Sequence, residues 1–207
     1  MEIKDIVNYV TNTPHNSNKQ VLKSMLEKLT EGGGGSEYDI DSLINGSITK
    51  IESKVNTIKD YTFCGCANLK EAIFPNVTEI GEGAFWDCHA LIKLEIPKVK
   101  ILNMQSIGDC IVLKALNCPE VEIIGSSCFE NCEKLENINL PKVKAIKSSA
   151  FVSCYALKTI HIPATIQEID EDGFGWTGLT DIYIDKAEGE IPGAPWGAEN
   201  ATIHYNS

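Results

Sequence analysis

Apolar side chains recur along this chain in two different rhythms. Over residues 1–31 they fall three and four apart: Ile3, Ile6, Val7 and Val10 share one helical face, and Val21, Leu22, Met25, Leu26 and Leu29 share another. Between them Pro14 disfavours helix at Thr13, and Asn16, Ser17 or Asn18 can cap a second helix. The pattern predicts a short N-terminal helical hairpin whose helices are too short to be stable alone. Their greasy stripes are therefore expected to anchor the protein or hold copies of it together. The stretch "GGGGS" over 32–36 then reads as a flexible linker.

Beyond residue 36 the rhythm changes to a repeat. Valine stands at 55, 77, 99, 121 and 143, always 22 residues on, and Ile166 opens a sixth unit slightly late. Further columns keep the step: Phe63, Phe85, Ile107, Phe129, Phe151 and Phe174; Cys66, Cys88, Cys110, Cys132 and Cys154; Leu69, Leu91, Leu113, Leu135 and Leu157. Each unit closes on a short apolar alternation and a proline, as in "LEIP", "INLP" and "IHIP". One unit buries too few apolar side chains to offset the entropy of ordering its backbone, so the units must stack and share a core.

The unit V-x-x-I-x-x-x-x-F-x-x-C-x-x-L-x-x-I-x-I-P resembles the BspA-type leucine-rich repeat over roughly residues 47–185. The resemblance implies an α/β fold class: a β-rich solenoid of about six 22-residue coils, preceded by the helical hairpin and glycine linker. The expected divisions are 1–31 for the helical segment, 32–36 for the linker, 37–54 for an N-terminal cap, 55–185 for the repeats and 186–207 for a C-terminal cap. It also implies an adhesion or recognition surface rather than an enzyme.

With Leu94, Leu116, Ile138, Ile160 and Ile182 facing inward, strand alternation turns two rows outward. One holds Lys93, Ala115, Asn137, Thr159 and Asp181, the other Glu95, Asn117, Asn139, His161 and Tyr183. These amides, hydroxyls and mixed charges suit a polar protein surface or a glycan, with Tyr183 available to stack on a sugar ring. A second candidate lies on the turns, where Trp86, His89, Ile111, Val112 and Tyr155 are expected near the surface.

Composition narrows the rest. The net charge is −11 and the chain has no arginine, which argues against nucleic acid. No apolar run reaches the length of a membrane span, and the first residues lack the pattern of a secretory signal. Eight cysteines invite a disulfide or metal reading, but a ladder of parallel Cβ vectors suits neither, so a buried packing role is expected, with Cys64 alone facing solvent. The segment "EIDEDGFGWTGL" has calcium-loop spacing at its start but Leu179 where a glutamate ligand is needed. Cys88 beside His89 is no catalytic pair, and no cofactor motif is present.

The N-terminal "IVNYVTNTPHNSNKQVLKSMLEKL" followed by glycines is similar to the openings of fibre-like and accessory virion proteins of bacteriophages. That similarity implies a virion accessory protein, head or tail fibre or decoration, assembled in the host cytoplasm. Its helices would grip other virion proteins or form a homo-oligomer such as a trimer, while the repeats bind a host surface protein or glycan. A secreted BspA-like surface adhesin and an intracellular interaction scaffold are the alternatives.

Overall fold

The computed structural model describes residues 49–206. The expected helical hairpin, with Ile3, Ile6, Val7, Val10, Val21, Leu22, Met25, Leu26 and Leu29, lies outside these residues, as does the linker. Among the described residues every regular element is a strand.

The strands fall into two rows along the stack. The longer ones are β1 (Lys50–Glu52), β3 (Glu71–Ile73), β5 (Lys93–Glu95), β7 (Ala115–Asn117), β9 (Asn137–Asn139), β11 (Thr159–Ile162), β13 (Asp181–Ile184) and β14 (Thr202–Tyr205). Two-residue strands form the other row: β2 (Thr57–Ile58), β4 (Glu79–Ile80), β6 (Ile101–Leu102), β8 (Ile123–Ile124), β10 (Ala145–Ile146) and β12 (Glu168–Ile169). The short strands make one parallel six-stranded sheet, and the longer row is hydrogen-bonded in three parallel groups, β1-β3-β5, β7-β9 and β11-β13-β14. Pairing follows the 22-residue step, as in Leu116 beside Ile138 and Ile80 beside Leu102. The stack makes about seven turns, more than the six counted from the repeat, because β14 pairs onto β13 as a further rung. In β3, β5, β7, β9 and β11 strand length is limited by the proline that follows, which has no N–H to continue the ladder.

Between the rows, each turn is stitched to the next by its own backbone ladder: Phe63 N donates to Ala84 O, Phe85 N to Ser106 O and Phe129 N to Ala150 O, each at 2.8 Å. Two columns of the turn have left-handed backbone. One holds Tyr61, Gly83, Gln105, Ser127 and Ser149; the other holds Gly65, Asp87, Asp109, Asn131, Ser153 and Trp176, with φ between 55° and 71°. Glycine, Asp and Asn accept this conformation most readily, which accounts for most of the second column.

The core runs along the axis. Phe63 and Phe85 stack at 5.2 Å, Phe129 and Phe151 at 5.1 Å, and Phe151 and Phe174 at 5.5 Å, with Ile107 between the two runs. At the end Trp196, fully buried, meets Phe174 edge-on at 6.5 Å and donates its indole N–H to Pro192 O. Leu94, Leu116, Ile160 and Ile182 are buried as the alternation requires, and Ile138 is half-buried.

The cysteine column is buried from Cys88 to Cys154, and each thiol reaches a backbone carbonyl 25 residues back. Cys88 Sγ donates to Phe63 O, Cys110 to Phe85 O, Cys132 to Ile107 O and Cys154 to Phe129 O, at 3.1–3.3 Å. The acceptor is already bonded by its own coil, as in Cys66 N to Phe63 O, so the thiol uses the remaining lone pair. Cys118 and Cys128 are also buried, and Cys128 Sγ lies 3.3 Å from Ser106 Oγ.

Cys64 corrects the expectation of a solvent-facing thiol: only 4% of it is exposed. Gly65 N bonds Trp86 O at 2.7 Å beside it, drawing the next turn close. A side chain as short as cysteine ends beneath that contact, whereas the larger Trp86, Glu130 and Val152 in its column reach past it to half-exposure.

Candidate functional site

Strand alternation puts every outward residue of the longer row on one face. Lys93, Glu95, Asn117, Asn137, Asn139, Thr159, His161 and Tyr183 are exposed there, and Asp181 is half-buried. Parallel pairing in register stacks like positions about 4.8 Å apart, close enough for neighbouring side chains to bond along the axis. The face accordingly divides into three zones. At the front, Lys93 Nζ pairs with Glu95 at 2.8 Å, so the two charges largely satisfy each other. In the middle, Asn139 Nδ2 donates to Asn117 Oδ1 at 3.0 Å and leaves one amide oxygen and one amide nitrogen for a partner.

The rear zone is aromatic. Tyr183 lies between His161, at 4.8 Å, and His204, at 4.4 Å, with each ring 10° from parallel to that of Tyr183. Both faces of the Tyr183 ring are therefore covered, which corrects the expectation that it could stack on a sugar. The exposed members of the stack, Tyr183 and His161, offer a phenol hydroxyl and an imidazole edge to solvent. His204 Nε2 meets Asp181 Oδ1 at 2.8 Å, and Thr180 donates to Asp181 Oδ2 at 2.8 Å. These bonds, that from His204 first, hold the Asp181 carboxyl below its ordinary pKa.

His204 was missed in the sequence because it lies 21 residues after Tyr183, off the 22-residue step. The alternation "TIHY" was the signal that could have placed it. Trp176 was missed too. It is the most exposed large apolar side chain among the described residues, at 81%, and it borders an opening between the last turn and the C-terminal segment.

The other sequence candidates separate. Trp86, Ile111 and Val112 are half-buried on the turns, while His89 and Tyr155 are exposed. Trp86 Nε1 donates to Asp109 at 2.5 Å. Cys88 points its thiol into the core while His89 pairs with Asp87 at 2.7 Å, so the neighbours do not meet. In the calcium-like segment, Glu168 is paired with Lys147 and Asp170 caps Ser148 N. Among the described residues, no three His, Cys, Asp or Glu side chains gather in a metal-holding group, and no helix is long and apolar enough to cross a membrane.

The sequence profile described as "BspA type Leucine rich repeat region" matches this chain in six copies, over residues 41–120 and 93–193. The chain belongs to the BspA-type leucine-rich repeat family. Among solved structures of this fold, a leucine-rich repeat protein from Eubacterium ventriosum is 30% identical, with a TM-score of 0.55, over 61% of this chain and 35% of its own. A leucine rich cell surface protein from Faecalibacterium prausnitzii is 21% identical, with a TM-score of 0.51, over 76% of this chain and 59% of its own. The chain thus spans about a third and three-fifths of these two relatives. Comparison with curated proteins finds no match. BspA-type solenoids of this kind are typically non-enzymatic binding scaffolds, and the comparisons indicate no enzymatic family.

Proposed function

We propose that this BspA-type array is a surface-binding module that presents its longer strand face to a polar partner, a host-surface protein or glycan. One observation carries the reading: consecutive coils align a continuous outward face whose Lys93–Glu95, Asn117–Asn139 and His161–Tyr183–His204 groups are held by one another and have no part in the core. Polar groups already fixed in place lose little entropy on binding. A cell-surface setting is favoured because the relative from Faecalibacterium prausnitzii is itself described as a leucine rich cell surface protein. The virion reading draws only on residues 1–35 or so, outside the described residues, and has no support in the family match or these relatives.

Fluorescently labelled protein applied to intact host cells tests the assignment. Asn139→Ala with Tyr183→Ala should lower cell-surface binding about 10-fold or more, since a buried hydrogen-bonding anchor contributes on the order of 2 kcal/mol, while Tm stays unchanged. Full binding by that variant, with loss in Tyr155→Ala, would move the site to the turns.

A further inference from the structure

The opening beside Trp176 lies on a different side of the coil from the strand face. Its volume is about 270 Å³, and its lining includes Asp172, Trp176, Thr177, Leu179, Glu199 and Asn200. Three features set it apart from an ordinary surface crevice. First, Trp176 occupies the left-handed column at φ 56°, where the other coils place Gly, Asp, Asn or Ser, and it leaves 81% of its surface in water. A bulky residue held in that conformation, with its ring unburied, is costly on both counts.

Second, the backbone that carries Trp176 is rigidly seated. Phe174 N bonds Trp196 O at 2.9 Å, Thr177 Oγ1 donates to Phe174 O at 2.9 Å, and Gly178 N bonds Cys154 O at 3.2 Å. Any side chain at Gly178 would meet Tyr155 O at 2.0 Å, and one at Gly197 would meet Gly175 Cα at 2.9 Å, so two glycines permit the close approach that forms the opening. Third, the lining carries two exposed carboxylates and no basic side chain. Among the described residues no ion pair engages Asp172 or Glu199, whereas Glu71, Glu120, Glu122 and Glu168 each meet a lysine of a neighbouring coil.

We infer that this opening is a binding site for a single cationic group, an ammonium presented either by a lysine side chain of a partner protein or by a small free amine. An indole face is the strongest aromatic partner for a cation, and the two carboxylates in the lining add charge complementarity that a neutral ligand would not use. The site size suits one such group rather than an extended ligand. The inference does not depend on the strand-face reading.

The test is titration of the full ¹⁵N-labelled chain with choline, N-acetyl-lysine amide and methyl glucoside, following the three tryptophan indole signals. Both cations, the quaternary ammonium of choline and the lysine ammonium, should move the Trp176 signal with millimolar affinity that weakens as salt is raised. Trp176→Ala should abolish the accompanying shifts of the Asp172 and Glu199 backbone amides, Asp172→Asn with Glu199→Gln should weaken binding about 10-fold, and Asn139→Ala with Tyr183→Ala should leave it intact. Tighter binding of the lysine derivative would identify a protein side chain as the source, and tighter binding of choline a small free ammonium compound. An equal response to methyl glucoside, an undiminished response in the carboxamide variant, or no movement of the Trp176 signal would overturn the proposal.

Discussion

At the scale of single residues, the buried thiols set the chemistry of this protein at high pH. Burial pushes Cys64 up to about 11 and Cys66 up to about 12, and it raises Cys88, Cys110, Cys132 and Cys154 well above the ordinary thiol value. The folded state therefore holds these protons after an unfolded chain has released them. Stability from each thiol is fully present below the unfolded pKa of about 8.5 and is lost as pH rises toward the folded value, at about 1.4 kcal/mol per pH unit. Tm should fall steeply above about pH 9. Cys110→Ala with Cys132→Ala, though less stable near pH 7, should show a shallower decline between about pH 9 and 11 in a thermal scan. The same burial predicts that iodoacetamide leaves Cys88 through Cys154 unlabelled in the native protein at neutral pH. The burial of that column is readable from its 22-residue recurrence, but its carbonyl partners are not: the acceptor lies 25 residues back, on a turn whose position only stacking supplies.

At the scale of the coil, the turn is the element that selects residue type most strictly. Its left-handed column reads Gly65, Asp87, Asp109, Asn131, Ser153. Asn131→Gly should change stability by less than about 0.5 kcal/mol, because glycine accepts φ near 55° without cost. Asn131→Val should cost about 1–3 kcal/mol in urea unfolding, because a β-branched side chain clashes there. An equal effect of the two substitutions would mean that Asn131 matters through its amide bond to Asp109 and not through its backbone. The strand row was legible at this scale, since alternation assigns Leu116 inward and Asn117 outward without tertiary information. The Tyr183 ring was not, since its face is free on one strand and becomes closed only between His161 and His204.

At the scale of the whole molecule, the stack needs an end. Trp196 covers the last phenylalanine while β14 pairs onto β13, so the core does not open to water at that side. Trp196→Ala should cost about 3–5 kcal/mol and, because each coil is supported mainly by its neighbours, should loosen the last coils before the first. Hydrogen exchange checks this: amides of β13 and β14 should lose protection ahead of those of β5. By itself the amino-acid sequence determined the period, the columns that form the core, the polarity of the strand face and the burial of the thiol ladder, because a constant 22-residue step makes inside and outside a local rule. The tertiary structure alone decided the burial of Cys64, the ring stack at Tyr183 and the opening beside Trp176. Each depends on which turn lies against which, and the last two occur where the step slips, to 23 residues between Phe151 and Phe174 and to 21 between Tyr183 and His204.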